Sequence, residues 1–202
     1  MINEFETKIS PESEHKGVFS ETIETLQVNL GLRCNQQCLH CHQESSPLRQ
    51  EMMAWPVMEL ILNAVDASGC RFADLTGGAP ELNPHFRRFV VSLRGKGCHV
   101  KVRTNLTILF EQGMEDLPEF FREQAVELIA SLPCYTMENV CAQRGLGVYE
   151  KSIEAIRRLN TLGYGVGPSL PLNLVYNPGG PFLPSEQLSL EEDYRRELAE
   201  RF

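Results

Sequence analysis

Apolar and polar positions along the chain fall into a repeating strand-then-helix pattern. Alternation over 26–32, opening Leu26-Gln27-Val28-Asn29-Leu30, predicts a first strand. Helical spacing over 57–68, behind Pro56 and closed by Gly69, predicts a first helix. The same logic predicts strands over 71–76, 98–104 and 126–132, and a fifth within 165–176. It predicts helices over 84–95, 117–125, 148–162 and 189–201. Strands alternating with helices imply right-handed βαβ units around a parallel sheet, an α/β fold. In such sheets the loops after the strand C-termini carry the chemistry. Residues 1–25 read as a polar arm broken by Pro11 and Gly17, 26–177 as the folded core, and 178–202 as a linker and terminal helix.

One loop stands out within this frame. Cys34-Asn35-Gln36-Gln37-Cys38-Leu39-His40-Cys41 follows the first strand with the spacing C-x3-C-x2-C. Three thiolates this close suit one metal centre, either zinc or an iron–sulfur cluster. A [4Fe–4S] cluster usually takes four cysteines, so one held by three has an iron open to another ligand. The competing metal is zinc, with His40 or His42 completing a Cys3His set. Such sites usually come as two separated ligand pairs, and no second pair follows here. Burial of three unrelated cysteines is disfavoured by the polar Asn35-Gln36-Gln37 between them.

Composition narrows the class. The 202 residues suit one domain with a sizeable core. No apolar run approaches the ~20 residues of a membrane span, and residues 1–20 show no apolar leader. A net charge of −8 argues against a nucleic-acid or membrane partner. Seven cysteines, three of them on a metal-type loop, point to a reducing cytoplasm rather than a disulfide scaffold.

The cysteine loop resembles the cluster motif of the radical S-adenosylmethionine (radical SAM) superfamily, C-x3-C-x-Φ-C with Φ usually aromatic. The resemblance implies a partial (β/α)6 TIM-like barrel, of which about five strands are predicted here. It implies that Cys34, Cys38 and Cys41 hold a [4Fe–4S] cluster whose fourth iron binds SAM, with His40 near the adenosyl group. Thr76-Gly77-Gly78-Ala79-Pro80-Glu81 resembles the family's Gly-Gly-Glu-Pro segment. Gly77 and Gly78 carry over to the SAM amino group. Ala79 stands at the usual acidic position, and Glu81 follows two residues later. By the same resemblance Asn105 lies near the SAM ribose, Ser131 contacts SAM, and Arg144 pairs with its carboxylate. A small-molecule substrate and a reducing protein of flavodoxin or ferredoxin type are implied as partners.

Longer runs resemble one subgroup, the arsenosugar biosynthesis radical SAM proteins. These are residues 25–35, 75–84, Ser131-Leu132-Pro133-Cys134-Tyr135, and 172–180. The shifted Gly-Gly-Ala-Pro-Glu is the most specific of them. Those proteins are longer, with a further cysteine-bearing C-terminal region, and tend to read Cys-His-Val-Asp-Ala-Gly-Pro where this chain has Cys41-His42-Gln43-Glu44-Ser45-Ser46-Pro47. The resemblance implies transfer of the 5′-deoxyadenosyl group of SAM to a methylated trivalent arsenical. Cys134, just past the fourth strand, is the candidate thiol for arsenic, since thiolates favour soft atoms. Two other functions stay open: hydrogen abstraction from a peptide or small metabolite, and a zinc-stabilised binding module without catalysis. Cys70 and Cys98 begin strands and read as small core residues.

Overall fold

A computed structural model describes residues 22–181 and 183–201. Residues 1–21 of the expected arm lie outside the described residues. Five parallel strands make one sheet in sequential order: β1 (Thr25–Asn29), β2 (Phe72–Thr76), β3 (His99–Thr104), β4 (Glu127–Ser131) and β5 (Leu172–Val175). Since β1 and β5 do not pair with each other, the sheet is an open partial barrel. Helices α1 (Trp55–Ser68), α2 (Phe86–Gly95), α3 (Leu117–Glu123) and α5 (Val148–Thr161) lie between strands, α4 (Met137–Arg144) precedes α5, and α6 (Gln187–Arg201) follows β5.

Strand alternation gives the two faces opposite characters. Leu26, Val28, Ala73, Leu75, Val100, Val102, Leu128 and Ala130 point outward into the main core. They meet Met58, Leu62 and Val65 of α1, Phe86, Phe89 and Leu93 of α2, Phe121 of α3 and Leu159 of α5. The inner face carries Gln27, Asp74, Lys101, Arg103, Glu127 and Asn173 instead. There Arg103 grips Asp74 through Nε and Nη2, and Glu127 takes His99 at 2.7 Å. Cys70 and Cys98 are buried at strand starts, as the sequence implies.

The strand–helix alternation matches the sequence, and the differences lie at ends and in one helix. The first strand stops at Asn29 because Gly31, at φ 144°, turns the chain away to bridge Met52. The third helix stops at Glu123, since Ala125 at φ 46° redirects the chain into β4. The fifth strand is only four residues long. Helix α4 is not predicted by periodicity, because it lacks an apolar stripe: its buried residues are Val140, Gln143 and Arg144. Its burial is largely polar, so hydrophobic periodicity does not reveal it.

Two glycines have structural reasons opposite in sign. A Cβ on Gly78 would stand 2.5 Å from the carbonyl oxygen of Arg33, in backbone that cannot swing aside. Gly95, exposed at the end of α2, faces open space. Gly78→Ala is therefore expected to destabilise by roughly 1–3 kcal/mol, as overpacking does. Gly95→Ala is expected to stabilise by about 0.5–1 kcal/mol through helix propensity. Urea midpoints of the two variants check both signs.

Candidate active site

The cysteine loop leaves β1 and is tied down by backbone bonds. Gly78 N–H donates to Gly31 O and Ala79 N–H to Arg33 O, each at 2.9 Å. Cys34 N–H reaches Ser46 O, and Leu39 N–H reaches Gln143 O on α4. Buried Asn83 donates to Leu30 O and Met53 O, clamping both ends of the loop. The loop thus rests on the C-terminal ends of β1 and β2 and touches α4, the side on which such sheets carry chemistry.

Its interior contradicts the inference that polar residues between the cysteines oppose burial. Cys34 is 7% exposed and Gln36 9%. Gln36 can be buried because its amide is paired: Nε2 donates to Thr107 Oγ1 at 2.7 Å, and Oε1 accepts from Arg144 Nη2 at 2.8 Å. Cys34 Sγ takes the backbone N–H of Gln36, and Cys41 Sγ takes that of Ser45, each at 3.4 Å. Cys38 Sγ donates to Gln36 Oε1. Burial is the leading cause that raises the Cys34 thiol pKa. Among the described residues no three Cys, His, Asp or Glu side chains are gathered around one point. The donor set still fits a cluster. Three thiols share one loop, and two already receive the N–H groups that stabilise a thiolate ligand.

Around the loop lie two charges without counter-ions. Arg144, 6% exposed, spends its guanidinium on neutral acceptors: Ser131 O, Gln36 Oε1 and Asn105 O. No acidic side chain among the described residues pairs with it. Glu81, on a short 3-10 turn after β2, is 4% exposed, and neither carboxylate oxygen has a hydrogen-bond partner. Burial raises its pKa to about 7, with its own backbone and the Thr104 side chain pulling less strongly the other way. A buried guanidinium and a buried carboxyl without counter-ions both cost stability.

The remaining expected site residues scatter around this centre. His40 lines a cavity of about 300 Å³ with Leu39, Asn139, Ala142, Gln143, Pro178 and Gly179. Desolvation first, and the Arg144 charge next, push its imidazole pKa down. The hydrogens of Gly77 and Gly78 face the Gly31–Arg33 backbone, which explains both glycines by close packing. Asn105 bonds Asn35 and Thr107, and Ser131 contributes its carbonyl to Arg144. Cys134 is buried in a second core with Val140, Tyr149 and Tyr194, and takes Asn139 Nδ2 at 3.4 Å. Sequence reasoning passed over Asn35, Gln36, Thr107, Asn139 and Gln143. Asn35 and Gln36 lie inside the cysteine spacing, Thr107 on the short turn after β3, and Asn139 and Gln143 on α4.

An open parallel sheet, a cysteine loop at its C-terminal rim, and two buried ionisable groups without counter-ions make up the candidate site. The model of the radical SAM superfamily matches residues 28–179, and the chain belongs to that superfamily. The superfamily consists of enzymes that use a [4Fe–4S] cluster and SAM. Crystal structures of Streptococcus suis SuiB bound to S-adenosylmethionine and to its precursor peptide SuiA share the fold. Their TM-scores are 0.64 and 0.63 at 15% and 16% identity, covering 88% of this chain and 39% and 38% of theirs. The structure of anSMEcpe with bound AdoMet gives a TM-score of 0.54 at 17% identity, covering 77% of this chain and 43% of that one. The chain therefore spans less than half the length of these structures. No curated protein matches the sequence.

Glu81 makes stability depend on pH in a definite direction. Its folded pKa lies near 7 and its ordinary value is 4.5, so the folded state holds the proton longer. The resulting penalty is absent below about 4.5, grows as pH rises, and is complete above about 7. At about 1.36 kcal/mol per unit it reaches roughly 3 kcal/mol. Glu81→Gln is expected to be more stable than wild type by about that much at pH 8 and equal to it below pH 4.5. Urea titrations at both pH values read this; equal stability at pH 8 would remove the buried charge from the account.

Proposed function

We propose that residues 26–177 form the cluster- and SAM-binding core of an enzyme that transfers the 5′-deoxyadenosyl group of SAM to a methylated trivalent arsenical. Residues 178–202 are its linker and terminal helix, and residues 1–25 its arm. The presence of Glu81 and Arg144, both buried and both without counter-ions, near the cysteine loop carries the SAM part of this reading. Cys34, Cys38 and Cys41 would hold the [4Fe–4S] cluster. When bound and reduced by a flavodoxin- or ferredoxin-type protein, the cluster supplies the electron that cleaves SAM to methionine and a 5′-deoxyadenosyl radical.

The chain's own residues have these tasks. Glu81 takes the SAM ammonium after the turn opens, and Arg144 exchanges a neutral acceptor for the SAM carboxylate, which suits its fork. Backbone groups of Gly77 and Gly78 help hold the ammonium. Ser131 and Asn105 close the wall between Arg144 and the loop. His40 contributes a neutral ring to the cavity beside the adenosyl group. Cys134 binds arsenic: it sits behind Asn139, which lines that cavity and donates to the Cys134 sulfur. The subgroup resemblance around Cys134 and Gly77-Gly78-Ala79-Pro80-Glu81 supports the arsenical.

A specific observation favours a second reading, hydrogen abstraction from a peptide or polar metabolite. The inner face of the sheet is lined by Gln27, Asp74, Lys101, Arg103, Glu127 and Asn173, which suits a polar substrate better than a methylated arsenical. SuiB is a peptide-bound example of this fold.

Product analysis separates the two. Reconstituted, reduced protein given SAM and a dimethylated trivalent arsenical is expected to yield an adenosyl–arsenic compound by mass spectrometry. Free 5′-deoxyadenosine alone contradicts the transfer. Cys134→Ser is expected to weaken arsenical binding at least tenfold with SAM binding unchanged, and wild-type arsenical affinity in that variant removes Cys134 from the site.

A further inference from the structure

At Asn105 the resemblance and the geometry part. The resemblance implies a contact with the SAM ribose, but the side chain has no capacity left for one. Nδ2 donates to Asn35 Oδ1 at 2.6 Å and to Cys34 Sγ at 3.6 Å. Oδ1 accepts from the Thr107 hydroxyl at 3.2 Å and from Ile108 N–H at 3.0 Å. An amide offers two N–H groups and two lone pairs, and all four are used. The residue is also buried.

The same side chain fixes the corner of the chain that places it. Leu106 follows with φ 67° and is fully buried, a left-handed conformation rare for leucine. The bonds of Asn105 Oδ1 to Thr107 and Ile108 bracket that residue and hold it. What the corner presents to the loop is an N–H aimed at sulfur. Among the described residues two such donors reach Cys34, Gln36 N–H and Asn105 Nδ2, and one reaches Cys41.

We infer that Asn105 is a positioning residue for the Cys34 sulfur, and through it sets how readily a cluster bound there accepts an electron. The inference rests on the proposal that Cys34 is a cluster ligand. An N–H dipole directed at a ligating thiolate favours the more negative, reduced state, and hydrogen bonds to sulfur are among the factors that set cluster potentials. Removing the donor favours the oxidised state.

The test uses Asn105→Leu, of similar size without polar atoms, and Asn105→Asp, which keeps the acceptor for Thr107 and Ile108 but loses both N–H groups. Each is reconstituted anaerobically, its iron and sulfide are counted, its potential is titrated by EPR, and its SAM affinity is measured by equilibrium dialysis. At least one variant is expected to load like wild type and bind SAM within about twofold, because Asn105 does not touch the ligand. Its reduction equilibrium is expected to fall about tenfold, the worth of one charge-assisted hydrogen bond, or about 59 mV for one electron. An unchanged potential with tenfold weaker SAM binding assigns Asn105 to the ribose and overturns the inference. An unchanged potential with unchanged binding also overturns it, as does loss of loading in both variants, which leaves a purely structural role. Wild-type protein that takes up no iron overturns the cluster proposal beneath it and this inference with it.

Discussion

The site depends on one close approach of backbone to backbone. The turn after β2 lies directly on the loop after β1, through Gly78 N–H to Gly31 O and Ala79 N–H to Arg33 O. Gly78 allows this because its Cβ would collide with the Arg33 carbonyl. The contact has two results. It holds the first loop cysteine, Cys34, just beyond the joint. It also sets the short turn bearing Glu81 beside that loop. The sheet needs no glycine pair there for its own hydrogen bonding, so the contact serves the loop.

Burial then gives the region its chemistry. Arg144 and Glu81 are both sealed from water, yet they do not pair with each other or with any other charge among the described residues. An arrangement of this kind lowers stability; under the proposed function SAM supplies the missing charges. Three amides and one hydroxyl, Gln36, Asn35, Asn105 and Thr107, join the loop to the turn after β3 and, through Arg144, to α4 and the end of β4. Gln143 and Asn177 extend the same linkage to the segment after β5. Hydrogen bonds thus tie the cysteine loop to the neighbouring strand ends, alongside the packing of Leu30 and Cys34 in the main core.

The alternation of strand and helix was legible because the sheet's outer face is apolar but for Thr104, and the main helices that cover it carry an apolar stripe. The cysteine spacing was legible because three thiols in so short a stretch have few structural uses. Helix α4 was not, since Gln143 and Arg144 are what it buries. Asn105 was legible as a strand-end residue, but its partners were not, because the chain approaches Cys34 from the third strand only after folding. The burial of Gln36 ran against its polarity for the same reason: its amide partners come from β3 and α4, distant in sequence. Hydrophobic pattern shows where the core is, and it is silent on where polar groups find each other.

The central claim is that the Cys34, Cys38 and Cys41 loop holds a cluster open to SAM. The direct measurement is an EPR spectrum of the anaerobically reconstituted, reduced protein, with and without SAM, alongside iron, sulfide and zinc counts. The account predicts about four irons per chain, as in a [4Fe–4S] cluster, and a signal that changes when SAM binds. Zinc in place of iron, or a cluster signal indifferent to SAM, would contradict it.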